Sequence, residues 1–249
     1  MKKEVILMQS LTKLSPILII KKQVKWKAKL YISALSSLVI LQIIFTLLFF
    51  NHGNASEGYG RGNVNVQFFI YSLDVYVMVA MLWAFITGLL FSTKAYRRDD
   101  LAIISSQTSS AVATILVVIL YSMIAVMIIA SSYYIQLIGL LLRQKDALII
   151  DQLIISPSIL LVCFGGICLF GAVGLLIGYC FHGPIIFKLA AILFFSVSLF
   201  VLLVYPEFIN LQSFILLSNL KISIYYFLLA TLCFGLTIWI AHQSEVSNI

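Results

Sequence analysis

The chain has 249 residues, of which 62% are hydrophobic and 10% charged, and its mean hydropathy is +1.11. A soluble fold of this size has too much surface to cover with so few charges, so an apolar solvent is implied. The formal net charge of +7 does not point to nucleic acid, because the basic residues sit in short stretches beside apolar runs, where Lys and Arg set membrane topology.

The first 29 residues are a basic arm. Leu7, Leu11, Leu14 and Leu18 recur at helical spacing, and Trp26 between Lys25 and Lys27 has the character of an interfacial anchor. An amphipathic helix on the cytoplasmic face is expected here, kinked or ended at Pro16. The arm is too charged for a cleavable signal peptide.

A membrane-crossing helix needs about 20 apolar residues, and its peptide groups must be satisfied within the segment. Six stretches qualify, at about 30–50, 66–91, 111–134, 153–180, 185–205 and 222–241. The fold class expected is all-α integral membrane, a six-span helical bundle forming one domain over 30–249. With the N terminus inside, twelve Lys and Arg fall on the cytoplasmic side and four outside. That bias places both termini in the cytoplasm, at the plasma membrane.

Between the spans, residues 51–65 are rich in Gly, Asn and Ser and read as a flexible external turn. Asp74 is the one acid inside a predicted span, where an unpaired carboxylate costs a few kcal/mol or more. It is a candidate for a translocation path or proton site, against the plainer role of an interhelical hydrogen-bond partner. In the fourth run, Gly171, Gly174 and Gly178 share one face, the spacing of close helix packing. Residues 206–220 are too polar for a span and suit an external amphipathic or re-entrant helix.

The stretch after the second span carries Tyr96, Arg97, Arg98, Asp99, Asp100, Leu101 and Ile104, then the polar tract 105–110. It combines charge with an apolar ridge, as a docking element for a cytosolic partner requires. Catalytic and metal residues are not expected. No P-loop, HExxH or GxSxG occurs, His52, His182 and His242 are far apart, and Cys163, Cys168, Cys180 and Cys233 lie inside apolar runs as packing residues.

In layout the chain resembles a permease subunit of the ABC-2 type, found with bacterial ABC exporters. The shared features are the basic N-terminal helix, six spans, the charged stretch Arg97-Arg98-Asp99-Asp100, the Gly-rich fourth span at Gly171 to Gly178 and a short C-terminal tail. The Gly and Pro frequent in that family's loop are absent here. The resemblance implies a non-enzymatic membrane subunit that exports an amphipathic cargo, such as a peptide, lipid or antimicrobial compound. It implies coupling through residues 92–110 to a separate cytosolic P-loop ATPase that holds the ATP and Mg. A second six-span permease half, identical or homologous, would complete the transporter. Two other functions fit the composition: an ion-gradient-driven secondary transporter using Asp74, and a non-transporting membrane protein of immunity or sensing.

Overall fold

The computed structural model describes residues 16–49, 55–61, 64–70, 73–93, 106–143, 155–182, 188–189 and 219–246. Six long helices and one hairpin occupy them, in the order α1 (Pro16–Leu30), α2 (Ile32–Phe49), β1 (Ala55–Arg61), β2 (Val64–Ile70), α3 (Asp74–Phe91), α4 (Gln107–Arg143), α5 (Pro157–His182) and α6 (Asn219–Val246). Five of them, α2 to α6, are long and apolar enough to cross a membrane. The protein is a multi-pass membrane protein, and its exposed Ile, Leu and Met side chains on these helices form the surface that lipid can cover.

The helix starts follow local chemistry. Pro16 is the first described residue of α1, a position where proline's missing N–H costs nothing in a first turn. Residues 7, 11 and 14 of the expected N-terminal periodicity lie outside the described residues. Ser106 caps α4, its hydroxyl accepting from the Ser109 N–H at 3.2 Å. Ser156 stands in the same position before Pro157, accepting from the Ile159 N–H at 3.4 Å.

Two expected boundaries are corrected. The second span begins at Asp74, not at 66. Residues 66–70 belong to β2, which pairs antiparallel with β1 from Ala55↔Ile70 to Arg61↔Val64. Apolar and polar residues alternate through Val64-Asn65-Val66-Gln67-Phe68, a strand period that a count of apolar residues alone does not distinguish from a span. Much of the expected flexible turn over 51–65 is therefore a regular hairpin. The helix of the third expected span, α4, runs to Arg143 rather than 134, because Ile135, Leu137, Ile138 and three further leucines continue it without a proline. At 1.5 Å per residue it is about 55 Å long, longer than the hydrocarbon is thick.

α4 is the central mast and touches all five other helices, while α5 packs most extensively on α3 and α6. α3 and α5 run parallel and very close. A Cβ on Gly88 would stand 2.9 Å from the Leu175 nitrogen, and one on Gly174 would stand 3.0 Å from the Phe85 carbonyl carbon. α5 also meets α6: Gly165 faces Ser223 and Tyr226, and the Phe164 and Phe227 rings lie 5.5 Å apart. The fifth predicted span, 185–205, lies outside the described residues except for 188–189, as does the 206–218 part of the external amphipathic segment.

Candidate functional site

α1 has four lysines on its outer side and one that points inward. Lys27 is 1% exposed. Its Nζ donates to Thr114 Oγ1 at 2.7 Å and to Ser110 Oγ and the Ser110 carbonyl at 3.0 Å each. Helical spacing produces the match, since Ser110 and Thr114 are one turn apart on α4, and Gln23 and Lys27 one turn apart on α1. Burying an ammonium is costly unless several acceptors replace its water, and this arrangement supplies three. Gln23, also buried, leaves its Oε1 without a partner. Just above, the Tyr121 hydroxyl donates to the Ala28 carbonyl at 2.8 Å, and Tyr31 stacks on Phe91 with ring centroids 4.5 Å apart.

This cluster sits beside the end of α3 and the start of α4, the described residues that flank 94–105. At their near side, α3 ends at Ser92, whose hydroxyl donates to the Leu89 carbonyl at 2.6 Å. A Cβ on Gly178 of α5 would collide with that Ser92 side chain. At their far side, Ser106 caps α4 and the next turn is held by Lys27. Tyr96, Arg97, Arg98, Asp99, Asp100, Leu101 and Ile104 themselves lie outside the described residues. Both anchor points of that segment are well defined: one is wedged against α5 and the other is clasped by α1.

A second polar network lies toward the opposite end. The Tyr76 hydroxyl donates to Gln136 Oε1 at 2.9 Å. Gln136 Nε2 donates to the Phe49 carbonyl at 3.3 Å, and Gln42 Nε2 to the Tyr76 carbonyl at 3.0 Å. α2, α3 and α4 are thereby joined. Between the two clusters the Trp83 indole N–H donates to the Ala34 carbonyl at 2.9 Å and to Ser37 Oγ at 3.1 Å.

The remaining candidates distribute as follows. Asp74 is the exposed first residue of α3 and the first residue of that candidate span. The positive end of the helix dipole suits a carboxylate there. Gly171, Gly174 and Gly178 face α3 at Ala84, Phe85, Leu89 and Ser92, with Val118 of α4 also against Gly171. The four cysteines are free, Cys163 and Cys168 buried, and among the described residues no group of His, Cys, Asp or Glu gathers that could hold a metal.

Lys27, Gln23, Gln42, Tyr76 and Gln136 were not singled out by the sequence reading. Two signals were present: the paired spacing of 23/27 with 110/114, and isolated amides such as Gln42 inside a long apolar run, which need an internal partner. No protein-family model, no curated protein and no solved structure matches the chain, so function has to be argued from its own residues.

Proposed function

We propose that this chain is the membrane-spanning permease subunit of an ATP-driven exporter, working with a separate cytosolic ATPase and moving an amphipathic cargo. The observation that carries the reading is the double anchoring of the segment between α3 and α4. Ser92 at one end is seated against Gly178 of α5, and the α4 turn at the other end is bonded to Lys27 of α1. A pull on residues 94–105 is therefore applied to α1, α3, α4 and α5 together. Transmission of this kind needs packed elements that move as bodies rather than a flexible loop.

Six crossings complete the reading. A sixth crossing would have the 36 residues between α5 and α6 pass back across the membrane. The apolar run at 185–205 is the segment able to do that through lipid. An even number of crossings puts both termini on the side of the Lys27 cluster, and the excess of Lys and Arg makes that side cytoplasmic.

In this scheme the chain performs no covalent chemistry. ATP and Mg bind the partner subunit. Its closure displaces Tyr96 to Ile104, with Arg97, Arg98, Asp99 and Asp100 as the charged contact, and two permease halves exchange the access of a cavity between them. The halves are two copies of this chain or this chain with a homologous partner.

The test is reconstitution of the chain with the P-loop ATPase subunit that co-purifies with it. Replacing Arg97, Arg98, Asp99 and Asp100 together by Ala is expected to abolish the chain's effect on ATP turnover while membrane insertion is retained. Failure of any ATPase to co-purify, or full cargo movement by the chain alone in liposomes without nucleotide, would overturn the reading. A non-transporting immunity or sensor role would then be favoured.

A further inference from the structure

We infer that α1 carries a binding ridge for anionic phospholipid headgroups, built from Lys21, Lys22, Lys25 and Lys29. All four are exposed. Lys21, Lys25 and Lys29 follow each other at i, i+4 and i+8, with Lys22 beside them, so the four span about 100° of the helix. They lie diametrically opposite Gln23 and Lys27, which are buried against α4. The inward lysine thus fixes the rotation of the helix, and that rotation aims the other four away from the bundle. No Asp or Glu occurs between Pro16 and Leu30, so nothing within the helix neutralises them.

Three features select lipid over an acidic protein as the occupant. The helix joins the first span through the single residue Tyr31, whose N–H still donates to the Lys27 carbonyl at 2.9 Å, so the ridge is held at the membrane boundary. Leu18, 49% exposed, lies within the ridge, and the flank between the lysines and the buried face consists of Ile19, Trp26 and Leu30, the last 43% exposed. An apolar flank containing tryptophan next to a row of lysines matches the layered chemistry of acyl boundary and headgroup. Long lysine side chains also reach headgroup phosphates while their stems cover apolar surface. The inference does not depend on the permease reading.

Each lysine near an anionic surface is worth about a fivefold preference. The test uses the full chain in mixed phosphatidylglycerol and phosphatidylcholine nanodiscs, with retained lipids counted by native mass spectrometry. The wild type is expected to raise the ratio of retained phosphatidylglycerol to phosphatidylcholine about tenfold over the bulk ratio at low salt. The variant K21Q/K22Q/K25Q/K29Q should fall to within about twofold of bulk, and the corresponding fourfold Lys→Arg variant should keep the enrichment. Because these lysines also bear on insertion, a salt series on the wild type gives an independent reading. Raising salt from about 0.05 to 0.5 M should remove most of the enrichment without changing phosphatidylcholine retention. The inference is overturned if the wild type shows no enrichment, or if enrichment survives both the Gln variant and high salt. It is equally overturned if the Gln variant loses a bound acidic protein while its lipid preference stays unchanged.

Discussion

The Nζ of Lys27 lies 2.7 Å from Thr114 Oγ1, joining the helix that precedes the first span to the helix that follows the charged segment. Thr114 Oγ1 also donates to the Ser110 carbonyl at 2.9 Å, so its lone pairs are directed at the ammonium. The contact links residues 87 positions apart in sequence. It converts α1 from a surface appendage into part of the bundle.

Removing one acceptor from a buried ammonium costs more than a neutral hydrogen bond, about 1.5 to 3 kcal/mol. Thr114→Val preserves shape and is expected to lower stability by that amount. Lys27→Met placed in the same background removes the charge that lost its acceptor, so the two effects should not add, and a coupling of about 1 to 2 kcal/mol should appear. Lys21→Met, on the exposed side, should change stability by less than about 0.5 kcal/mol. Thermal unfolding in detergent across the double-mutant cycle checks all three. Simple additivity would show that Lys27 and Thr114 do not interact.

What could be read from sequence alone divides along physical lines. Three apolar runs appear as helices close to where a 20-residue window places them, and the Gly171 to Gly178 face is visible because small residues at helical spacing have few other uses. The start of α3 was not visible. Phe68, Phe69 and Ile70 add to an apolar count whether they belong to a strand or a span, and only the alternation from Val64 onward separates the two. Lys27 was hidden for a different reason. It is one of five lysines between 21 and 29, and no local property distinguishes it. Its identity depends on which face of α1 meets Ser110 and Thr114, which is a tertiary fact. The same holds for Tyr76, whose partner Gln136 lies beyond the expected third span and belongs to α4 because that helix runs on to Arg143.

In the outer network, Tyr76→Phe should destabilise more than Gln42→Leu. The first leaves Gln136 Oε1 buried without its donor, a loss of about 0.6 to 1.7 kcal/mol for an interhelical bond in a membrane protein. The second gives up one bond to the Tyr76 carbonyl but also removes Gln42 Oε1, which is buried and unpartnered, so the net change should stay within about 0.5 kcal/mol. Denaturation midpoints in mixed micelles rank the pair. The reverse order would mean that Gln42 holds more than the single bond seen here.

Glycines on α5 and α6 should respond oppositely to the same added methyl. Gly174→Ala drives Cβ into the Phe85 backbone, and a backbone cannot swing aside, so α3 and α5 must separate at a cost of about 1 to 3 kcal/mol. Gly235→Ala on α6 meets nothing within 4 Å and should stabilise by up to about 1 kcal/mol through helix propensity. Melting temperatures of the two variants decide the matter, and a neutral Gly174→Ala would mean that the helices are not in close contact there.

Asp74→Asn separates a boundary carboxylate from an intramembrane one. At the exposed first position of α3, the carboxylate gains only its favourable interaction with the helix N terminus, about 0.3 to 1 kcal/mol. Neutralising it should therefore reduce stability slightly, or leave it unchanged at high salt, where that interaction is screened. A carboxylate held in hydrocarbon behaves in the opposite sense, because replacing it relieves a few kcal/mol of burial cost. Thermal unfolding of wild type and Asp74→Asn at low and high salt distinguishes them by sign. A stabilised variant at both salt concentrations would return Asp74 to the membrane interior and revive a proton-coupled mechanism through it.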